Sequence, residues 1–226
     1  AHALAKICDV RGQIQVPEWR PTSLTTEVRG ILDQLPTVDP GFALDLDWGE
    51  ETLSMVERVF GWNSFAVLAM TSGLPEAPVN AISGVAQAHC QLRYVVGTDE
   101  HDILPALRRH LDRHGLSQVM IRETDGNRFS ATRLDVDNPW LRFVAHSINQ
   151  SCGEPPHILP NLGGSLPNEC FADVLDIPTI WVPHSYAGCC QHAPNEHILK
   201  PIARQALLCM TGVFADIVTN GQDLIE

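Results

Sequence analysis

The run from Val85 to Val96 constrains the fold more than any other stretch of this chain. Ala86, Ala88, Cys90, Leu92, Tyr94 and Val96 are apolar or small and alternate with Gln87, His89, Gln91 and Arg93. That period of two predicts a strand with one buried and one polar face. After the connecting GTDEHD, Ile103, Leu104, Leu107 and Leu111 recur at helical spacing, and Gly115 stands where a helix needs its C-terminal stop. Val119–Ile121 and Phe129–Leu134 read as two further strands joined by the turn segment TDGN. Strand, helix and strands in this order predict a small two-layer α+β unit.

Upstream of that unit the sequence is irregular. Ala3–Cys8 reads as part of a helix, and Pro17, Pro21, Pro36 and Pro40 break any long element after it. Thr25–Leu35 reads as a short helix. Glu50–Phe60 reads as another, with Leu53, Val56 and Phe60 on one face. From Gly12 to Trp48 the sequence gives only loops and short helices.

Beyond Leu134 the texture changes. Pro139 sits where a helix begins, and WLRFVAHSINQ would turn Trp140, Phe143, Val144 and Ile148 toward a core. A Pro- and Gly-rich passage follows, then the unbroken apolar run IPTIWVP, which predicts a strand buried on both faces as in a parallel sheet. From Pro194 onward Ile202, Leu207, Met210, Val213, Phe214 and Ile217 describe one face of a long amphipathic helix. The expected division is therefore 1–135 and 136–226, in an α/β chain without internal repeats.

Composition excludes several classes of function. The 226 residues carry 15 Lys and Arg against 27 Asp and Glu, a net charge of −12, which repels a phosphate backbone and argues against nucleic acid. No uninterrupted apolar run approaches the roughly 18–20 residues that cross a bilayer, so no membrane partner is expected. The sequence starts at Ala1 with neither a Met nor a signal-peptide pattern, and reads as processed or partial. Seven scattered cysteines, two of them adjacent at Cys189 and Cys190, form no CxxC pair. They read as buried small hydrophobes in a reducing compartment, and the expected location is cytoplasmic. There is no GxSxG elbow, no P-loop and no GxGxxG followed by a strand and an acidic residue.

Three places could carry chemistry. The loop HSYAGCCQHAPNEH follows the apolar run, where ligands collect in open α/β sheets, and holds His184, His192, Glu196 and His197. Imidazole and carboxylate suit a metal, although three loop histidines without a second cluster are more often solvated or hydrogen-bonded bystanders. Gly163, Gly164 and Ser165 could present backbone N–H groups and a hydroxyl to an anion, or form only a tight turn. Arg93 is a cation on the polar face of the strand, with Asn80 just upstream of it. A guanidinium fork matches a carboxylate, and a surface Arg without that role is the alternative.

NLGGSLPNECFADVLDIPTIWVPHS followed by QHAPNEHILKPIARQALLCMTGVF resembles the C-terminal end of the dinuclear zinc hydrolases that include aminoacylases, glutamate carboxypeptidases, succinyl-diaminopimelate desuccinylases and carnosinase-like dipeptidases. PVNAISGVAQAHCQLRYVVGTDEHDILPALRRHL resembles the strand and helix of that family's inserted lid, which is also its dimerisation domain. The resemblance covers the chain from about Leu53 onward. It implies a lid at 1–135 and a C-terminal segment of the α/β catalytic domain at 136–226. It makes His192 a metal ligand and gives Gly163, Gly164, Ser165, Asn80 and Arg93 the substrate's carboxylate, with the lid residues reaching a neighbouring subunit's cleft in a homodimer. Asn195 and Glu196 would cap the last helix.

The implied reaction is metal-dependent hydrolysis of an amide or peptide bond in a dipeptide or N-acyl amino acid, with two zinc ions, or cobalt or manganese, as cofactor. The sequence departs from that family in residues 1–60, where neither the His-x-Asp pair, the bridging Asp nor the Glu-Glu pair is found. No residue is therefore assigned as catalytic, and the expectation is a zinc peptidase whose N-terminal metal-binding half is not in this chain. The alternative is a non-catalytic dimerisation module derived from such an enzyme.

Overall fold

The computed structural model describes residues 1–36, 45–124 and 128–221. In chain order the helices are α1 (Leu4–Ile7), α2 (Thr26–Leu32), α3 (Met55–Phe60), α4 (Ile103–Arg113), α5 (Pro139–Cys152) and α6 (Lys200–Asn220). The strands β1 (Ser64–Ser72) and β2 (Ala86–Arg93) lie between α3 and α4. Short single turns occupy Pro17–Trp19, Cys170–Val174 and Ala187–Cys189.

Local signals set several boundaries. α3 starts later than the expected Glu50 because Ser54 caps it: the Ser54 hydroxyl accepts from the Glu57 backbone N–H at 3.3 Å and Glu57 accepts from the Ser54 N–H at 2.7 Å. Leu53 therefore precedes the helix, buried beneath it. α4 ends as its sequence predicts, with Gly115 at φ +70° and the Leu116 N–H bonded back to the Leu111 carbonyl at 2.9 Å. α5 opens on Pro139 after Asn138, whose side chain accepts from the Trp140 N–H at 2.9 Å.

β1 and β2 form an antiparallel hairpin from Ser64 opposite Arg93 to Ser72 opposite Ala86, with an irregularity between Val67 and Ala69. Only its base is packed. Phe65 and its partner Leu92 join a core of Ile7, Ile14, Val16, Trp19, Ala106 and Leu111. The rest of the hairpin is exposed, so the alternating face expected to be buried along all of Val85–Val96 is covered only at its Arg93 end. Asn63 secures that base, since its buried amide donates to the Trp19 carbonyl at 2.6 Å and Thr98 Oγ1 at 2.8 Å and accepts from the Val95 N–H at 2.8 Å.

A second core lies between α5 and α6 and comprises Val144, Ile148, Cys209 and Val213, with Phe143, Ile180, Val182 and Ile217 packed against it. The helices approach closely at Gly212, where an ideal Cβ would sit 1.8 Å from Ser151 Oγ. Beside this contact Cys152 and Cys209 form a disulfide across 57 residues, with Cα atoms 6.3 Å apart. Cys90, Cys170 and Cys190 are exposed. The reading of all seven cysteines as unpaired, buried small hydrophobes is thus corrected, and cysteine usage no longer points to a reducing compartment.

Other expectations are also corrected. Val119–Ile121 and Phe129–Leu134 make no ladder among the described residues, and the turn expected at TDGN falls largely on 125–127, outside the described residues. Val119 and Ile121 instead pack side-on against the first core. Ile177–Pro183 is no strand either, because no described strand lies beside it to complete a ladder. Its residues alternate: Ile180 and Val182 enter the second core, while Ile177 and Trp181 are each 49% exposed. On α6 Leu207 and Phe214 are exposed rather than buried, so the inward stripe is Cys209, Val213 and Ile217. At 21 residues and a mean hydropathy of 1.4, α6 is also long and apolar enough by composition to cross a membrane. Lys200, Arg204 and Asp216 punctuate the helix, so it contains no uninterrupted apolar run of that length.

Candidate functional site

A cavity of about 740 Å³ opens where the end of β2 meets the segment after α5. One wall carries Arg93, Tyr94, Glu100 and the extended stretch 128–134. The other carries 156–166 and 179–183. Three arginines, Arg93, Arg128 and Arg133, line it against two carboxylates, Glu100 and Glu123, of which Glu123 pairs with Arg128 at 3.9 Å, so the lining carries a net positive charge although the chain as a whole is acidic.

Arg93 ends β2 and is held by two contacts. Its Nε donates to Gln91 Oε1 at 3.2 Å and its Nη1 to the Gly163 carbonyl at 3.4 Å, across 70 residues of sequence. These bonds leave Nη2 without a partner among those contacts, available for a carboxylate oxygen. Gly163, Gly164 and Ser165 line the same cavity. The approach at Gly164 is close: an ideal Cβ there would lie 3.1 Å from Trp181 Cη2 and 3.2 Å from Cζ3, so a larger residue would make the ring shift by a few tenths of an ångström. A ring thus rests on this turn.

Deeper in the cavity Tyr94 shares its hydroxyl between Glu100 Oε2 at 3.0 Å and the Phe129 carbonyl at 2.9 Å. Burial, with the Glu100 charge beside it, pushes the Tyr94 phenol up. Glu100 is held below the usual carboxylate range, chiefly by a hydrogen bond from Ser130 and then, against the opposing effect of burial, by Tyr94 and Arg128. Burial pulls the Arg133 guanidinium down, and its Nη1 is buried without a hydrogen-bond partner among the described residues.

The remaining expected residues lie elsewhere. Asn80 sits exposed in the loop joining β1 to β2, at the opposite end of the hairpin from Arg93 and roughly 20 Å from it by strand rise. His192 is also outside the cavity lining, in the loop between Pro183 and α6. Cys190, His192 and Asn195 all take left-handed φ there, at 56°, 61° and 67°. His197 fastens this loop: its backbone N–H donates to the Cys189 carbonyl at 3.0 Å and its Nδ1 to the Asn195 carbonyl at 2.7 Å. A carbonyl can only accept, so Nε2 is left to accept from the Tyr186 hydroxyl at 2.5 Å. Glu196 accepts from the His192 backbone N–H at 3.2 Å, and the residue before α6 is Leu199 with no side-chain cap. Asn195 and Glu196 therefore close the loop on itself and do not cap the last helix as expected.

Trp181, Glu100 and Tyr186 are not singled out in the sequence, Tyr94 reads only as part of the strand pattern, and His197 only as a histidine suited to a metal. The run IPTIWVP, expected to be buried on both faces, gives no sign that Trp181 stays half exposed. The others come together only through tertiary packing.

Three solved structures share this architecture. A metallo-carboxypeptidase of the M20 family, Sso-CP2 from Sulfolobus solfataricus, superposes with a TM-score of 0.72 at 19% identity over 93% of this chain and 50% of its own. Human carnosine dipeptidase 1 gives 0.68 at 14% over 96% and 48%. The di-peptidase Dug1p from Saccharomyces cerevisiae gives 0.68 at 14% over 93% and 46%. The fold is the one these peptidases share. This chain spans about half the length of each. No protein-family model and no curated protein sequence matches it.

The first of these structures is by name a metallo-carboxypeptidase, and the residues present here can be tested against a metal. Among the described residues no three His, Cys, Asp or Glu side chains converge closely enough to hold an ion. A catalytic zinc site needs about three protein ligands, so His192 and its surroundings do not fit a metal pair by themselves.

Proposed function

We propose that this chain belongs to a metal-dependent hydrolase of amide or peptide bonds in small substrates bearing a free carboxylate, such as a dipeptide or an N-acyl amino acid, and that it supplies the carboxylate anchor. The observation that carries this reading is the Arg93 guanidinium seated against the Gly163 carbonyl at the mouth of a cation-rich cavity. Arg93 would take one carboxylate oxygen through its free nitrogen. Gly163 and Gly164, without Cβ atoms, let the substrate approach the backbone, and Ser165 adds a hydroxyl donor. The walls from the two halves of the chain would exclude water around the anchored group.

In this proposal His192 is one metal ligand and the others come from outside the described residues. Asn80, far from Arg93 in its own chain, would serve a second copy's cavity in a homodimer formed by the lid. The outer edge of β1, which pairs only with β2 among the described residues, supports such pairing.

The test is calorimetric binding of N-acetyl amino acids and of their C-terminal amides to the purified chain. The carboxylate should bind at least about tenfold more tightly than the amide, because a charge-assisted hydrogen bond contributes about 1.5–3 kcal/mol. Arg93→Ala should erase that difference. Equal affinity for acid and amide would sink the reading.

A further inference from the structure

We infer that Trp181 is a specificity-determining residue of this cavity, selecting substrates whose carboxylate-bearing residue has an aromatic side chain. The inference rests on the carboxylate anchor proposed above and adds what lies beside it. Three observations carry it.

The first is exposure. Ile180 and Val182 line the cavity but also pack against the core between α5 and α6, whereas Trp181 between them lines the same cavity and stays 49% exposed. Trp is usually well buried, and one left half open on a cavity wall has apolar surface still to cover.

The second is position. The ring rests on Gly164, the residue after the one whose carbonyl holds Arg93. Arg93 and Trp181 thus touch adjacent residues of one turn, whose Cα atoms are about 3.8 Å apart. An α-amino acid carries its carboxylate and its side chain on one carbon, so a carboxylate on Arg93 brings that side chain to the indole.

The third is charge. A flat ring attracts both apolar rings and cations, and the lining decides between them. On the Trp181 wall the lining from 156 to 166 and 179 to 183 contains no Asp or Glu, while Leu162, Leu166 and Val182 are present. A Lys or Arg side chain would meet no counter-charge there and would face the cavity's own cations, whereas an aromatic ring meets apolar surface.

The experiment uses the intact chain and compares N-acetylphenylalanine, N-acetylalanine, N-acetyllysine and N-acetylphenylalanine amide by calorimetry, with thermal denaturation to confirm that each variant folds. Wild type should bind the phenylalanine acid about tenfold more tightly than the alanine acid. Trp181→Ala should reduce its affinity to that of the alanine acid and leave the alanine acid unchanged, while Trp181→Phe keeps most of the preference. Gly164→Ala, which pushes the ring aside, should weaken the preference as well. Equal binding of the phenylalanine and alanine acids, preference for the lysine acid, or an equal loss for all ligands in Trp181→Ala would overturn the inference while leaving the anchor intact. If acid and amide bind alike, the anchor itself fails, and this inference with it.

Discussion

Glu100 shows how one side chain can couple the cavity to the stability of the fold. Its carboxylate lies below its ordinary value of 4.5, first through the Ser130 hydrogen bond and then through Tyr94 and Arg128. Between the depressed folded value and 4.5 the unfolded chain binds more protons than the folded one, so stability rises with pH across that window. The contribution is fully present above 4.5 and is lost as pH falls through the folded value. Denaturant titrations between pH 3 and 6, a range set around the ordinary Glu value of about 4.3, should show wild type losing stability more steeply than Glu100→Gln at the acid end. Parallel curves would mean that Glu100 is not coupled to folding. This residue was invisible in the sequence, where GTDEHD reads only as a polar connector. Its partners Tyr94 and Ser130 sit on segments that packing alone brings together. Arg93 was legible because a lone cation on a neutral strand face stands out, whereas its partner Gly163 lies 70 residues away.

At the scale of elements, whatever depends on neighbours in sequence was readable. α4 has its apolar spacing and its glycine stop, and α5 has its proline start. Elements defined by a partner were not readable: 119–121, 129–134 and 177–183 have the composition of strands but no ladder, because a ladder is a property of two segments. The same holds for the Cys152–Cys209 bond, which pins α5 to α6 where Gly212 lets them meet. Closing a loop of 57 residues limits the unfolded chain, which in the chain-entropy account is worth about 4 kcal/mol. Cys209→Ser, or reduction with dithiothreitol, should lower the denaturation midpoint of wild type by a corresponding amount. The variant itself should then be insensitive to dithiothreitol. A midpoint that ignores both changes would show that the thiols are not bonded in solution.

At the scale of the whole molecule, two apolar surfaces remain uncovered among the described residues, and they predict different kinds of association. On α6, Leu207, Phe214 and Val218 are 72%, 64% and 82% exposed, and their spacings of seven and four place them on one side, away from Cys209 and Val213. A helix that is apolar on both sides belongs between two layers, and here α5 supplies only one. The hairpin presents Val67, Leu68 and Met70 beside the open edge of β1. Edge pairing between two copies closes on itself as a dimer, whereas an apolar helix face without a self-complementary partner gives concentration-dependent, heterogeneous assembly. Sedimentation velocity of wild type should therefore show a broad distribution. Leu207→Glu with Phe214→Glu should collapse it to a discrete dimer, and adding Leu68→Lys at the edge strand should reduce that dimer to monomer. A distribution that stays broad in the α6 variant would clear that face of responsibility, and a dimer that survives Leu68→Lys would place the self-contact somewhere other than the hairpin. Co-sedimentation of wild type, but not the α6 variant, with lipid vesicles would instead identify a bilayer as the missing layer over α6.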